Sequence, residues 1–156
     1  MQNGKPSIEY LFDRVLSEFV ALDIAETQVR EIENSIKNGG IHSPRLSGMP
    51  TAHNKKKELG DLLAQRDDAE RKRRQAHCRY RKLRQRVISI IETVQDPVNQ
   101  CILRERYVYF WPWKQIEATH GISQRTCMRR KDHVLAMLTA AFPEESQEFF
   151  SIDVTS

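Results

Sequence analysis

The sequence predicts an all-α protein in which a long antiparallel, coiled-coil-like helical hairpin precedes a smaller helical domain. Two observations predict this fold. Two long segments repeat apolar residues at alternating steps of three and four, and shorter helical segments bounded by Pro, Gly and Ser follow them. The composition agrees, since 39% of the 156 residues are hydrophobic and 29% are charged. That balance suits long helices that each bury one narrow stripe, rather than one large compact core.

The first apolar run predicts a helix over residues 8–36. Steps of three and four are typical of the seam of a helix that packs against another helix. A loop at about 38–57 follows, because Gly and Pro residues interrupt the pattern there. The nine seam positions are all apolar: Ile8, Phe12, Val15, Phe19, Leu22, Ala25, Val29, Ile32 and Ile36.

The second apolar run predicts a helix over residues 59–94, which completes a first domain at 1–95. The loop between the two helices lets them fold back as an antiparallel hairpin within one chain. The same seams also fit a homodimer formed through helices 8–36 and 59–94, and the sequence leaves both arrangements open. Nine of the eleven seam positions fit the pattern, with two arginines as exceptions: Leu59, Leu62, Arg66, Ala69, Arg73, Ala76, Tyr80, Leu83, Val87, Ile90 and Val94.

A second domain is predicted over residues 96–142. Asp96 is a favourable N-cap and Pro97 is favourable at the first helical position, so a helix begins there and runs to about 109. Pro112 then breaks the chain before the next helix. Pro143 is predicted to close the last helix, and the acidic residues 143–156 are predicted to form a loosely held tail.

The middle of this domain has the layout of a helix-turn-helix. A short helix from Trp113 to His120, a turn at Gly121 and a helix capped by Ser123 that runs to about Ala141 match that motif. Ile116, Ile122 and Cys127 are predicted to face inward. An ordinary helical hairpin with a solvated basic face fits the same spacing, and spacing alone leaves both interpretations open.

If the second helix enters a DNA groove, its outward residues would contact the DNA. Gln and Arg side chains can pair bidentately with adenine or guanine edges. The residues predicted to contact bases are Ser123, Gln124, Arg125, Met128 and Arg129. The residues predicted to contact phosphates are Lys114, Thr126, Arg130 and Lys131.

The net charge of +4 is unevenly distributed along the chain. Residues 66–86 carry +7 and residues 101–133 carry +4, whereas the segments 1–65, 87–100 and 134–156 are all negative. Two basic blocks between neutral or acidic ends predict a polyanionic partner. The block at 66–86 is disfavoured as a bZIP basic region, because Asp96-Pro97 stops the helix soon after it. A solvated face and nonspecific phosphate contacts both stay open for this block.

Several classes of function are disfavoured. The five histidines show no metal-ligand spacing, and the sequence contains no P-loop, GxSxG or paired-carboxylate motif, which predicts a protein that is not an enzyme and holds no metal or cofactor. Cys78, Cys101 and Cys127 lie far apart, so a disulfide framework and a zinc site are disfavoured and a reducing cytoplasm is expected. Neither a secretory signal nor a bilayer-spanning apolar run is expected.

Residues 96–138 carry a further pattern: Asp96-Pro97, Leu103, Arg106-Tyr107-Val108, Trp113, Ile116, Gly121, Ser123, Arg125-Thr126, Arg129, Lys131, Leu135 and Leu138. With this pattern the segment resembles the region-4-like helix-turn-helix of bacterial sigma factors, and more closely the phage-encoded ArpU/RinA-type late transcriptional regulators. The upstream segment Leu46-Ser47-Gly48-Met49-Pro50 is similar to a loop found between two helices in related phage proteins.

The resemblance implies a C-terminal helix-turn-helix of sigma region-4 type that binds double-stranded DNA sequence-specifically. It also implies activation of phage or prophage genes through host RNA polymerase, in the cytoplasm of a bacterial host cell. Two rival functions stay open. One is a DNA-recognition subunit of a packaging machine of the small-terminase kind, and the other is a coiled coil that acts only in protein interactions.

Overall fold

The computed structural model describes residues 7–38 and 52–147, and every regular element in these ranges is an α-helix. The prediction of an all-α protein is therefore confirmed. The predicted loop segment Leu46-Ser47-Gly48-Met49-Pro50 lies outside the described residues, as do residues 148–156. The helices are α1 (Ile8–Asn38), α2 (Ala52–Ile91), α3 (Pro97–Tyr107), α4 (Trp113–His120), α5 (Gln124–Ala141) and α6 (Pro143–Gln147).

Helix α2 ends three residues before the predicted position at Val94. The amides of Thr93 and Val94 donate to the carbonyls of Ile90 and Ile91 at 3.1 and 3.0 Å. These bonds span three residues rather than four, which tightens the chain into a turn at the end of the helix. Val94 is partly buried and lies just beyond this turn, so it is not the last member of a helical seam.

The described residues divide into two compact units, one formed by residues 7–18 and 81–147 and the other by residues 19–38 and 52–80. These units differ from the predicted division at residue 95. The physical reason is that the first turns of α1 pack with the C-terminal helices. The ring of Phe12 lies edge-on to that of Tyr107 with 5.2 Å between centroids, and the amide of Ile8 donates to the hydroxyl of Thr139 at 3.2 Å.

Within the unit 19–80, α1 and α2 contact each other in antiparallel order. Leu22, Ala25 and Ala76 form a buried cluster against which Tyr80 packs. Phe19 lies against Tyr80 with 5.7 Å between ring centroids, although Phe19 is 41% exposed and its seam position is only half covered. Ala25 of α1 and Ala76 of α2 both belong to this cluster.

The residues that follow α5 form a helix, which differs from the prediction. Pro143 was expected to begin a loosely held tail, but it begins helix α6, because proline fits the first turn of a helix, where its missing N–H is not needed. Ser146 is buried, with its hydroxyl donating to the carbonyl of Phe142 at 3.0 Å, and Glu145 forms an ion pair with Arg86. Glu145 and Ser146 are therefore held against the rest of their unit.

Among the helices of the described ranges, none has an apolar stretch of the length that a bilayer crossing requires.

Candidate nucleic-acid interface

A small apolar core holds α3, α4 and α5 together. Ile102, Ile116 and Cys127, one from each helix, are at most 1% exposed and form a single cluster. Ile122 packs against the same cluster, so the inward positions predicted for Ile116, Ile122 and Cys127 are confirmed. Burial raises the pKa of the Cys127 thiol, which keeps it uncharged. This cysteine therefore acts as a small apolar side chain in the core.

The turn between α4 and α5 depends on a glycine. Gly121 has φ of 63°, in the left-handed region, and its amide donates to the carbonyl of Glu117 at 2.9 Å to close α4. No atom lies within 4 Å of the position that a Cβ would occupy at Gly121. The backbone conformation, and not a lack of space, therefore favours glycine here.

Helix α5 begins at a side-chain cap. The hydroxyl of Ser123 accepts a hydrogen bond from the amide of Thr126 at 3.4 Å, and the two hydroxyls lie 2.9 Å apart. The amide of Cys127 donates to the carbonyl of Ser123 at 3.0 Å, which closes the first helical turn. Ser123 is thus the N-cap of α5, as predicted.

The N-terminal half of α5 presents a cationic, exposed surface. Arg125 and Arg129 lie four residues apart and so share one helix face. Neither guanidinium has a hydrogen bond or an ion pair with any other residue in the described ranges. Cys127 anchors the opposite face of the same turn in the core. We call this exposed set the α5 surface, and its members are Ser123, Gln124, Arg125, Met128 and Arg129.

The four residues predicted to contact phosphates are placed differently from one another. Lys114 is exposed in the first turn of α4, and Thr126 is exposed beside the cap of α5. Arg130 donates to Asp96 at 3.4 Å and to Asn99 at 3.3 Å, although 40% of its side chain stays exposed.

Lys131 points into the protein rather than outward. Its ammonium lies 2.8 Å from Glu9 and 2.9 Å from Asp132, and only 14% of its side chain is exposed. Desolvation alone would lower the pKa of Lys131, but the hydrogen bonds to the two carboxylates outweigh it, and the pKa is raised above its ordinary value. Lys131 therefore holds α5 against α1, a role that its place in a basic run does not indicate.

Sequence reasoning missed the partner of Lys131. Glu9 also accepts a hydrogen bond of 2.8 Å from the hydroxyl of Tyr107, a residue 98 positions away in sequence. Burial is the main cause that raises the pKa of the Tyr107 hydroxyl far above its ordinary value, and the bond to Glu9 adds to it. No local pattern in the sequence indicates this role of Glu9. It lies beside the apolar seam of α1, where a solvent-facing acid is also common.

The connection between α3 and α4 is held by a second set of contacts. The guanidinium of Arg106 lies 5.1 Å from the ring centre of Trp113 and donates to the carbonyl of Trp111 at 3.3 Å. At the other end of α4, His120 lies 2.7 Å from Glu105 of α3, and both side chains are largely covered. These contacts fix the direction of α4, and with it the turn that places α5.

The described residues contain no cluster of three or more His, Cys, Asp or Glu side chains that could hold a metal ion. Comparison of the chain with protein-family models, with curated proteins and with solved structures found no match.

Proposed function

We propose that the chain binds double-stranded DNA sequence-specifically, with α4, the turn at Gly121 and α5 acting as a helix-turn-helix. The observation that carries this proposal is the division of α5 into two faces. Cys127 is buried against α3 and α4, while Arg125 and Arg129 are exposed and have no anionic partner within the described residues. Two unpaired guanidiniums near a helix N-terminus match the requirement for reading base edges in a major groove.

The α5 surface supplies the base contacts in this proposal. Arg125 and Arg129 would donate to guanine O6 and N7, and Gln124 would pair with adenine, each contact being worth about 1–3 kcal/mol of discrimination. Lys114 and Thr126 would donate to backbone phosphates and fix the register of the protein on the duplex. Lys131 would act indirectly, because its ammonium is already held by Glu9 and Asp132.

We further propose that the protein is a transcriptional regulator, an activator of phage or prophage genes that acts with host RNA polymerase in the bacterial cytoplasm. This finer assignment rests on the sequence resemblance to ArpU/RinA-type regulators. Its test is a reporter gene placed behind the genome segment that encodes the protein. Expression of the protein should raise reporter output, and substitution of the α5 surface should abolish the increase. A protein that binds this segment without changing reporter output would contradict the assignment to an activator.

A DNA-recognition subunit of a packaging machine is the second candidate function. The observation that favours it is an exposed apolar set on α1, formed by Leu16, Val20 and Ile24 at steps of four residues. Such a face suits assembly with further chains. A mass measurement by light scattering separates the candidates, since particles of ring size favour packaging and monomers or dimers favour a regulator.

DNA binding itself is tested by the double variant Arg125→Ala/Arg129→Ala in a gel-shift titration against the genome segment that encodes the protein. We expect loss of the specific complex with unchanged helicity. The matched control is Arg30→Ala/Lys37→Ala, which removes the same charge from exposed positions of α1. Specific binding that survives the α5 double variant, or that falls equally in the control, would overturn the proposal.

A further inference from the structure

Helix α2 contains a segment whose charge is entirely of one sign. Residues 71–91 include nine Lys and Arg residues and no Asp or Glu. Neutralisation of this segment therefore depends on carboxylates from outside it. The structure shows which of its cations receive such a partner and which do not.

Each cation in the N-terminal part of the segment is paired with an acid on the same helix. Asp68 pairs with Arg71 and Lys72, and Glu70 accepts from Arg73 at 3.0 Å and lies 3.9 Å from Arg74. Pairs separated by three or four residues are the usual way in which a helix offsets its own surface charge. All four cations of this part therefore have an anionic partner within the helix, although two carboxylates offset only half of their charge.

The C-terminal part is different. Arg81, Lys82 and Arg84 have no hydrogen bond or ion pair with any residue that the structure describes, and Arg81 and Lys82 are exposed. Arg86 is paired, but its partner is Glu145 of α6 rather than an acid of α2. The segment thus already binds one anionic group, which a distant part of the chain supplies. About half of the Arg86 side chain (55%) stays exposed despite this contact.

We propose that Arg81, Lys82, Arg84 and Arg86 form a second, sequence-independent binding site for the phosphates of DNA, and that Glu145 occupies Arg86 until DNA replaces it. We call these four residues the α2 cationic site. It lies in the same compact unit as α4 and α5. The inference rests on the proposed function only for the choice of double-stranded DNA as the polyanion.

A phosphate backbone fits this site better than a membrane surface does. Three of the four cations are arginines, whose planar guanidiniums bind phosphate oxygens in a bidentate manner. A helix that lies on a membrane buries its own apolar face in lipid. Val87, Ile90 and Ile91, which follow the site on α2, are at most 1% exposed and are already packed within the protein, and Leu83 and Ile88 are partly buried.

The expected size of the effect follows from counterion release. Each phosphate neutralised contributes about −0.9 to the slope of log binding constant against log salt concentration. Removal of three cations that bind phosphates should therefore reduce the magnitude of the slope by about 2 to 3. The same removal at cations that are already paired with acids of the helix should reduce it by less than about 1.

The experiment measures salt dependence of binding to a duplex of random sequence, so that base recognition by α5 contributes little. The test variant is Arg81→Gln/Lys82→Gln/Arg84→Gln. The matched control is Arg71→Gln/Lys72→Gln/Arg74→Gln, which removes three charges from the part of α2 where each cation is paired with Asp68 or Glu70. We expect the slope to fall in the test variant and to stay close to the wild-type value in the control. Equal slopes in the two variants would overturn the site, since net charge alone would then explain the binding.

The substitution Glu145→Gln tests the site from the opposite side. It frees Arg86 without touching the cations, so we expect tighter binding to the random duplex, because DNA no longer has to displace a carboxylate. Since Arg86 contacts a phosphate in both complexes, the slope should change by less than about 1. Unchanged binding would overturn the role of Glu145. Vesicles that contain phosphatidylserine serve as a competing ligand, and preferential binding to them over the duplex would overturn the choice of DNA.

The two proposals fail separately in these measurements. If the test variant has the same slope as the wild type while sequence-specific binding is intact, the α2 cationic site is overturned and the function proposed for α5 is not. If the slope falls in the test variant but Arg125→Ala/Arg129→Ala has no effect on specific binding, the function proposed for α5 is overturned and the α2 cationic site is not.

Discussion

Lys131 of α5 donates a hydrogen bond of 2.8 Å to the carboxylate of Glu9 in the first turn of α1, across 122 positions of sequence. The same carboxylate oxygen accepts the hydroxyl of Tyr107 from α3. One acid thereby ties three helices of a single compact unit. Because Lys131 follows the α5 surface by less than one helical turn, the orientation of that surface depends on α1.

Replacement of this acid is expected to weaken the unit. Glu9→Ala leaves the ammonium of Lys131 and the hydroxyl of Tyr107 without their shared acceptor, and we expect a loss of about 1–2 kcal/mol in the free energy of unfolding, because Glu9 itself is partly exposed. Urea denaturation measures the change. Asp23→Ala, at an exposed position of the same helix, is the control and should change stability by less than about 0.5 kcal/mol. Equal losses in both variants would contradict the role of Glu9.

Asp13 is expected to make the stability of the protein depend on pH. Partial burial raises the pKa of its carboxyl above the ordinary value of 3.8 and Glu9 adds to the rise, while Lys131 and Arg106 oppose it. The native state therefore holds this proton more tightly than the unfolded state does. The stability that results is fully present below pH 3.8 and is lost as pH rises through the folded-state pKa.

Asp13→Asn should accordingly stabilise the protein at neutral pH. We expect a gain of less than about 1 kcal/mol, because solvent screens a side chain that is partly exposed. The gain should shrink as pH falls through the folded-state pKa and vanish below pH 3.8, where the aspartate is protonated in both states. Urea titrations of both proteins at several pH values check this, and a gain of constant size at every pH would argue against desolvation as its cause.

Asp96 combines a helix cap with an interhelical contact. One carboxylate oxygen accepts from the amide of Val98 at 2.9 Å, and the other accepts from Arg130 at 3.4 Å. Asp96→Ala removes both contacts and should cost about 1–2 kcal/mol of stability. Asp96→Asn keeps the cap and should cost less than half as much, as thermal denaturation of the pair would show. Similar losses in the two variants would mean that the contact with Arg130, and not the cap, carries the stability.

The stability cost of replacing Gly121 should depend only on how readily the new residue adopts a positive φ. Gly121→Ala places a side chain in the left-handed region and should cost about 1–2 kcal/mol, whereas Gly121→Asn should cost less because asparagine adopts this conformation more readily. Since the Cβ position is open, neither variant should disturb the core around Ile116. Chemical denaturation gives the two costs, and a larger loss for asparagine would point to steric conflict instead.

The sequence predicted the boundaries of α4 and α5 well because local signals define them. Pro112, the glycine at φ of 63° and the cap of Ser123 each act on their own immediate neighbours. The start of α3 at Asp96-Pro97 followed for the same reason. Buried positions such as Ile8, Phe12 and Val15 were also identified, since the steps of three and four report which helix face is apolar.

What the sequence did not predict depends on distant pairs. The apolar steps of α1 do not say that Phe12 packs on Tyr107 of α3, so the two compact units were not anticipated. Lys131 was predicted as a phosphate contact because a basic run does not show which cation meets an acid elsewhere in the chain. The helix after Pro143 was missed because proline both ends helices and fits their first turn.

The central claim, that α5 reads DNA sequence through Arg125 and Arg129, is tested most directly by selection of bound duplexes from a random pool. The wild-type protein should enrich a defined sequence motif, and Arg125→Ala/Arg129→Ala should lose preference at the positions that the two arginines contact while retaining salt-dependent binding. Enrichment of the same motif by both proteins, or of no motif by the wild type, would contradict the account.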